Sequence, residues 1–552
     1  MRSAREIIEH ILAERGILAP EDVEEFLSDK PKRTYDPFLL PDMEAGVDLI
    51  YSFLQQGKHI CVYGDYDADG VMSTALLCRY FRALPGARSE ISYYIPSRFD
   101  EGYGPSENAF RSIKERGAKL VVTVDCGSVS KSEVAYAQSI GLTVLVTDHH
   151  DCAPERMPDC LIINPRRADS AYPQRGLSGC GVAFKVAQAM KQRHYEGVSS
   201  VAAALNASLD LTAIATITDV MPLADENRTL VKYGLTSINR GDRPALKNLI
   251  DAIGLKAGQI TAYNIAFGIG PHINAAGRMS DAASAVELFL TEDADEMDVI
   301  VAELVRRNDE RRALQERLVD SCVEMIDARD GDDRFLVICP PGIHEGVAGI
   351  VAGRVKDRYG LPTAILSESD ADGKPLLKGS VRGVPGVDVI TMLKKHGELF
   401  LKLGGHAMAA GFTMPAERDE TLRALLNADV EALLAENPQL LDRKPAVATD
   451  AAAAEITLEL AEWMRKFEPT GAGNPKPLFR LSDVSVSNVK RMGSERQHMR
   501  FVAGGVPCVL FGASDEYADR IADGTPVSLV GVVEVNSWNG VDSVQFIVRE
   551  ID

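Results

Sequence analysis

HICVYGDYDADGVMSTALLCRY, residues 59–80, decides how the chain is read. Its first five residues, HICVY, are an apolar run of strand length. From near Gly70, MSTALLCRYFRAL has the length and composition of a buried helix. A strand feeding straight into a helix opens a parallel α/β sheet, and such sheets bind ligands at the carboxyl ends of their strands. Here that end is Gly64-Asp65-Tyr66-Asp67-Ala68-Asp69-Gly70. Asp65, Asp67 and Asp69 place three like charges in five residues, and alternate residues of an extended turn point the same way. Helix capping accounts for one aspartate. Three repel one another unless a cation sits among them. The flanking glycines free the backbone for a tight turn before the helix.

Further along, EISYYIP (90–96), LVVTV (120–124), TVLVT (143–147) and LIINP (161–165) are four more apolar strands, with the helical SEVAYAQSIG between two of them. The alternation predicts a doubly wound parallel sheet. Two of these strands also end on ionisable groups: LVVTV runs into Asp125-Cys126-Gly127 and TVLVT into Asp148-His149-His150. A later helical segment ends on Thr218-Asp219-Val220-Met221-Pro222. Taken singly, each aspartate reads as a turn or cap residue. Together, carboxylates and imidazoles on neighbouring strand ends make an oxygen/nitrogen site suited to Mn²⁺ or Mg²⁺. Six or more such groups are enough for two ions, which at about 3.5–4 Å apart are the usual device for phosphoester hydrolysis.

At 552 residues the chain has room for roughly three to four domains. The first stretch, to about Pro41, is helical; Gly181–Gly254 is helical again; and 282–329 is a long charged helical region. FLVIC (335–339) opens a second α/β unit ending near Met414. A boundary is expected within 438–455, which holds Pro438, Pro445 and an alanine run. After Glu468 come five short strands split by Gly, Asn and Pro, a pattern that suits a β-barrel of the OB-fold type. The expected division is a helical extension (1–45), a catalytic domain (46–281), a connecting helical region (282–332), a second α/β domain (333–437), a linker and helix (438–466) and the barrel (467–552). Three Gly-rich stretches, Gly268–Arg278, Lys378–Gly383 and Gly404–His406, look like phosphate-handling turns. No GxxxxGK[ST] sequence is present, so no NTPase is predicted.

Sixty Lys+Arg against 80 Asp+Glu leave a net charge of −20. Such a surface repels a polyanion at long range, and composition alone favours an acidic metabolic enzyme. A nucleic-acid substrate would have to enter a local groove or be held through metal ions. The chain has no charge-free apolar run of about 18 residues, so no membrane span is expected. The amphipathic N-terminus, with Glu6 and Glu9, lacks the apolar core of a secretory signal. Nine cysteines without a CxxC pair read as reduced thiols in a cytoplasm.

YGDYDADGV, LSGCGVAFK, TDVMPL, GPHINAAGRM, HEGVAGIVAGR, GGHAMAAGF and FEPTGAGNPKPLF, spread from about residue 60 to 480, together resemble the RecJ family of single-strand-specific exonucleases in the DHH phosphoesterase superfamily. The resemblance implies a DHH domain, a DHHA1 domain and a C-terminal OB-fold. It further implies 5′-to-3′ hydrolysis of single-stranded DNA to 5′-mononucleotides with Mn²⁺ or Mg²⁺, in repair and recombination, with a single-strand-binding protein and a helicase as partners. By motif, Asp67, Asp69, Asp125, His149 and Asp219 are metal ligands, and Asp65 belongs to the same motif. His150 would face the scissile phosphate and Arg278 would neutralise it. Arg98, Ser380 and Arg382 would hold the 5′-phosphate end, and Asn274 and His406 would lie near the substrate. His272 departs from the family, which often carries arginine there. In the barrel, Phe501, Phe511, Trp538 and Phe546 are candidates for base stacking. A DHH phosphodiesterase acting on short oligoribonucleotides or cyclic dinucleotides is the alternative, and a non-catalytic DNA-binding scaffold is a third reading.

Overall fold

The computed structural model describes residues 1–551 except 99–100, 280–281, 330, 372–373, 443–445 and 513–519. Phe99 and Pro445 therefore lie outside the described residues. The chain divides into two compact units. One holds Met1–Gly277, Asp281–Leu304 and Pro445–Asp552; the other holds Arg278–Ser280 and Val305–Lys444.

In the first unit, β1 (Ile60–Tyr63), β2 (Ile91–Tyr94), β3 (Leu120–Val124), β4 (Thr143–Thr147) and β5 (Leu161–Ile163) form an all-parallel sheet in the order β2-β1-β3-β4-β5. The strands read as unbroken apolar runs because both faces are covered. Ile60, Val62, Leu120, Val122 and Leu145 pack under helices Met43–Gln55, Ala68–Ala83 and Gly179–His194. Cys61, Tyr63, Val121, Val144 and Val146 pack under Glu107–Glu115 and Lys131–Ser139. In this strand order the chain reverses direction across the sheet between β1 and β3, where doubly wound folds open a crevice for ligand. The acid loop after β1 and Asp125 after β3 flank that crevice.

Behind the sheet lies a helical layer. Ser199–Thr218 has the length and mean hydropathy, 1.4, of a membrane span, but it is two helices, Ser199–Asn206 and Leu209–Thr218, parted at Ala207-Ser208. The second packs among helices Ala68–Ala83, Gly179–His194 and Asp225–Arg240. Within the layer a buried ammonium, Lys185, donates to Glu226 Oε1 at 2.8 Å and to the Tyr35 carbonyl at 2.7 Å. Tyr172 closes the network on the other Glu226 oxygen. The nine cysteines are all unpaired.

In the second unit, β6 (Leu336–Ile338), β7 (Thr363–Ala371), β8 (Lys374–Arg382), β9 (Lys402–His406) and β10 (Ala409–Pro415) form a mixed sheet in the order β6-β7-β8-β10-β9, with only β6 and β7 parallel. Helix Glu345–Tyr359 covers one face; Val389–Lys395 and Asp419–Glu436 cover the other.

The three Gly-rich stretches are not loops. Lys378–Arg382 lies in β8 and Gly404–His406 in β9, while Gly270–Met279 is a helix. Their glycines make room for neighbours inside regular elements. A Cβ on Gly379 would meet the Phe412 ring at 2.2 Å, and one on Gly277 would meet the Tyr66 carbonyl oxygen at 2.2 Å.

Returning to the first unit, β11 (Thr449–Asp450), β12 (Phe479–Met492), β13 (His498–Ala503), β14 (Val506–Leu510), β15 (Pro526–Trp538) and β16 (Val541–Ile551) run in the order β11-β12-β13-β14-β16-β15. A further β12–β15 pairing closes the barrel in the OB arrangement. Phe501 and Phe546 are buried core, whereas Phe511 and Trp538 are 54% and 74% exposed, so burial removes two of the four stacking candidates. Helix Ala4–Glu14 places Ile7, Ile8, Ile11 and Leu12 in the same core as Leu460, Phe467, Phe479 and Phe501. Residues 4–27 thus share the barrel's core, while Leu40 and Met43 belong to the core of the parallel sheet.

Candidate metal centre and active site

Helix Ala68–Ala83 begins two residues earlier than its apolar run suggests, because Asp67 caps it. Asp67 Oδ1 accepts from the amides of Asp69 (2.9 Å) and Gly70 (3.1 Å). Capping uses one oxygen of one aspartate and leaves the other carboxylates to converge. Asp69 is aimed by the start of helix Gly179–His194: the amide of Gly179 donates to its Oδ2 at 2.6 Å and that of Cys180 to its Oδ1 at 2.7 Å. That is the local role of the LSGCG stretch, which the sequence offered only as part of a family motif.

Asp125 leaves β3 in the left-handed region, at φ 60°, and lies so close to Gly179 that a Cβ there would sit 2.6 Å from its own Cβ. Asp219 closes helix Leu209–Thr218, and the next residue, Val220, is also left-handed at φ 58°. A β-branched residue in that region is strained, and such strain clusters at functional sites.

His149 comes off β4 with Nδ1 bonded to the Leu177 carbonyl at 2.9 Å. A carbonyl can only accept, so Nδ1 carries the proton and Nε2 presents its lone pair. That Nε2 lies 3.0 Å from Asp125 Oδ1, 3.6 Å from Asp219 Oδ2 and 3.8 Å from Asp69 Oδ2. Burial, and then the neighbouring His150, push the His149 pKa down to about 3, so the ring is neutral.

Three groupings have ligand atoms within 4.8 Å of one another: Asp65-Asp67-Asp125, Asp69-His149-Asp219 and Asp125-His149-His150. Burial first, and then mutual repulsion, raise the carboxylates. Asp65 and Asp125 stand well above the usual range, Asp69 reaches about 7 and Asp219 about 8. Four atoms turned into the cluster, Asp65 Oδ1, Asp125 Oδ1, Asp219 Oδ2 and His149 Nε2, are buried with no hydrogen-bond partner. Buried polar atoms are otherwise nearly always satisfied. All four are electron-pair donors of the hard or borderline kind, and a divalent cation is the partner that fits them together.

Asp148 stands apart from this set although it adjoins it. Its Oδ1 accepts from His149 N, His150 N and His150 Nδ1 (2.7, 3.1 and 2.8 Å), and its Oδ2 accepts from Ser128 N at 2.9 Å. Burial opposes its charge, but these bonds outweigh burial and hold it well below the usual carboxylate range. Asp148 therefore anchors His150. Burial likewise works against charge on His150, yet the Asp148 bond and the surrounding carboxylates hold its pKa up at about 9. Tyr103, which had no signal in the sequence, places its hydroxyl within 3.1 Å of the same ring.

The Arg98 guanidinium lies over the Tyr66 ring, 5.2 Å from its centroid, beside the acid loop. Asn274 braces that loop, its Oδ1 accepting from Ala68 N at 2.8 Å. His272 is buried and bonded to the Gly268 carbonyl of its own helix at 2.7 Å. In the second unit, Arg278 donates to the Gly346 carbonyl at 3.2 Å. Ser380 and Arg382 lie two apart on β8 and so share a face. Arg382 Nη2 comes so near Gly349 that a Cβ there would be 2.6 Å away. His406 is exposed at the end of β9.

The chain matches three families in sequence order: the DHH family N-terminal domain over residues 59–216, the DHHA1 domain over 332–432 and the RecJ OB domain over 448–550. It is 34% identical over 551 residues to the single-stranded-DNA-specific exonuclease RecJ of Bacillus subtilis, covering 99% of this chain and 67% of that one. To the RecJ of Escherichia coli it is 33% identical over 488 residues, covering 86% and 82%. A crystal structure of RecJ from Thermus thermophilus in complex with Mn²⁺ superposes with a TM-score of 0.82 at 30% identity, covering 99% of this chain and 76% of that one. The same protein in complex with Mg²⁺ gives 0.76. On its motifs, its three domains and these relatives, the chain belongs to the RecJ family of single-stranded-DNA-specific exonucleases.

Proposed function

We propose that this chain is a divalent-metal-dependent exonuclease that hydrolyses single-stranded DNA from the 5′ end to 5′-mononucleotides. The observation that carries the reading is the set of four buried, unpartnered donor atoms at the β1/β3 crevice. Asp67, Asp69, Asp125, His149 and Asp219 would hold the ions, with Asp65 on the same loop. Bound ions would activate water as a nucleophile and offset the charge gathering on the phosphate. The protein's own groups do the rest. The Gly179 and Cys180 amides fix Asp69, and the Leu177 carbonyl fixes the tautomer of His149. His150, held in place by Asp148, would face the scissile phosphate.

The remaining roles come from the family, each for a residue within its own unit: Arg278 for the scissile phosphate, Arg98, Ser380 and Arg382 for the 5′-phosphate end, Asn274 and His406 for nearby substrate. The proposed domain division follows the sequence boundaries, with residues 4–27 packed into the barrel's core. A cytoplasmic setting with a helicase and a single-strand-binding protein would supply the strand.

The deciding experiment is digestion of 5′- and 3′-labelled single strands and duplex with Mn²⁺, Mg²⁺ or chelator. Metal-dependent release of 5′-labelled mononucleotide from single strands alone is expected. Digestion confined to dinucleotides, or release from the 3′ end first, would overturn the reading.

A further inference from the structure

A cavity of about 860 Å³ lies within the first unit, among the helices behind the parallel sheet. That is the size of a small-molecule site, about 300–1,000 Å³. Its walls come from the last turn of Ala68–Ala83, the break at Ala207-Ser208, the end of Asp225–Arg240, the start of Pro244–Ala252 and the end of Ala283–Leu290. Two helices join it to the metal centre in opposite directions. Ala68–Ala83 begins at Asp67 and Asp69 and reaches the cavity at Arg79 and Arg82, about 15 and 20 Å beyond Asp69 at a rise of about 1.5 Å per residue. Leu209–Thr218 starts at the cavity, after Ser208, and ends on Asp219. The cavity and the carboxylate cluster therefore sit at opposite ends of one helix pair and share no residue.

Arg79, Arg82, Arg240 and Arg243 line the cavity against three carboxylates, Asp210, Asp242 and Glu292. Two of the arginines are satisfied by acids. Arg243 forks onto buried Asp210 through Nε at 2.7 Å and Nη2 at 2.9 Å, and Arg240 forks onto Asp242 Oδ2 at 3.0 and 2.6 Å. The other two are anchored differently. Arg79 donates to the Phe289 carbonyl at 3.0 Å and Arg82 to the Ile91 carbonyl at 2.8 Å, and neither forms a salt bridge among the described residues. A guanidinium has five N–H donors, so each keeps most of its capacity. Desolvation, and then Arg243, lower the Arg79 pKa, as expected of a cation held beside another cation. Carbonyl anchors fix the two side chains without neutralising them. Spaced i, i+3, they are neighbours on one face of their helix. The cavity is thus locally positive in a chain of net charge −20. Much of the remaining lining is small and apolar, with Ala203, Ala204, Ala207, Pro244 and Leu290, and Asn206 adds an amide.

We propose that this cavity is a second ligand site, which takes a nucleoside monophosphate with its phosphate on Arg79 and Arg82 and its base against the alanine-lined wall. Paired guanidinium forks match phosphate oxygens, and small apolar side chains leave room for a planar base whose edge an amide can hydrogen-bond. The mononucleotides that the proposed exonuclease releases are of this class. The inference rests on the exonuclease reading for the source of the ligand and on the cavity alone for its binding.

The test is calorimetric titration of the full chain, in chelator, with dAMP, inorganic phosphate and deoxyadenosine. We expect dAMP to bind at least about tenfold more tightly than either half, since a charge-assisted bond lost from either group is worth that much. Arg79→Ala/Arg82→Ala should weaken dAMP by at least about tenfold. Those arginines also hold two carbonyls, so Ala203→Glu is the second variant: Ala203 is exposed on its helix, and the change sets a carboxylate on the wall with both carbonyl bonds left in place. It should weaken dAMP as well. Continued cutting of single-stranded DNA in Mn²⁺ by both variants shows them folded. Arg382→Ala, in the proposed 5′-phosphate grip, should leave this binding intact. If dAMP affinity survives in both folded cavity variants, or disappears in Arg382→Ala, the nucleotide is bound at the substrate site and the inference is overturned; so it is if dAMP does not bind at millimolar concentration. Equal affinities for phosphate and dAMP would overturn the seat for the base. Failure of the unsubstituted protein to cut single strands would overturn the exonuclease reading and leave the binding result standing.

Discussion

Gly179→Ala tests the site without removing any ligand. Gly179 occupies the first turn of its helix with Ser178 as the cap, and its backbone is not left-handed, so alanine is conformationally acceptable there. In isolation the change would favour the helix by about 1 kcal/mol. The obstacle is space. The new Cβ would stand 2.6 Å from Asp125 Cβ, 2.8 Å from its Oδ1 and 2.9 Å from its Cα, against 3.4–4 Å for ordinary contact. Two backbone segments must therefore part by roughly 0.8 Å, with an overpacking cost of about 1–3 kcal/mol. The same movement draws the Gly179 amide away from Asp69, where it now donates at 2.6 Å. Misplacement of about 1 Å in a catalytic array costs on the order of 10²-fold. We expect kcat on single-stranded DNA to fall about 100-fold with KM little changed, and global stability to shift by less than about 2 kcal/mol. Gly181→Ala is the matched control, because its nearest neighbour, Leu177 Cβ, would stand 3.3 Å away, only about 0.1 Å inside ordinary contact. If folded Gly179→Ala protein turns over within threefold of the unsubstituted enzyme, Asp69 and Asp125 are not held in place by this helix start, and the reasoning fails.

Asp125→Ala should abolish nearly all turnover with either metal while leaving circular dichroism unchanged; near-normal hydrolysis would remove Asp125 from the site. Mn²⁺ should raise the melting temperature by pairing with carboxylates that burial, and then mutual repulsion, lift to about 7 at Asp69 and about 8 at Asp219, with about 2.7 kcal/mol gained at a hundredfold excess over Kd. A melting temperature indifferent to Mn²⁺ would argue against ions among these carboxylates. Lys185→Met strands the wholly buried Glu226 without its cation and should cost about 3–5 kcal/mol in urea unfolding; a cost below about 1 kcal/mol would mean that the tyrosines alone satisfy that carboxylate. Hydrogen bonds from Arg2, outweighing burial, hold Glu455 down to about 2, so its stabilising contribution is complete above the unfolded value near pH 4.5 and is lost as pH falls towards 2. The stability gap between the unsubstituted protein and Glu455→Gln should close over that window, and a gap that stays constant with pH would refute the pairing.

Much of the catalytic sheet was legible because its strands are apolar on both faces and end on charged residues. LVVTV and TVLVT are the strands Leu120–Val124 and Thr143–Thr147, residue for residue. The cluster was legible for a related reason: like charges at neighbouring strand ends have no ordinary explanation. What could not be read was anything carried by the backbone. The amides of Gly179 and Cys180 and the carbonyl of Leu177 orient Asp69 and His149, yet any residue type supplies such groups. The glycines misled for the same reason. Composition cannot distinguish a glycine that permits a turn from one that admits a ring, and Gly379 under Phe412 is of the second kind. Asp148 shows the limit of counting acids, because its four accepted hydrogen bonds are what set it apart from the proposed ligands around it.

The division of labour between catalysis and strand binding does not coincide with a division of the chain. All proposed metal ligands precede residue 220, which suggests a catalytic half separable from the barrel beyond about residue 450. The packing denies that separation. Ile7, Ile8, Ile11, Leu12 and Phe26 lie in one buried cluster with Leu460, Phe467 and Phe479. Arg228, on a helix of the catalytic layer, spends its guanidinium on the carbonyls of Phe26, Lys466, Phe467 and Pro469, with its charge over the Phe26 ring at 4.1 Å. Removing the barrel would expose one face of the first helix and strip Arg228 of three of its four carbonyl acceptors, those of Lys466, Phe467 and Pro469. It would also remove the Gly471–Lys476 segment, whose Ala472 carbonyl accepts from the amide of Leu223, four residues beyond Asp219. The barrel is therefore tied through Leu223 and Arg228 to the neighbourhood of the helix end that presents Asp219, a proposed metal ligand. A loss of activity on truncation would then report a displaced Asp219 as readily as a lost DNA contact.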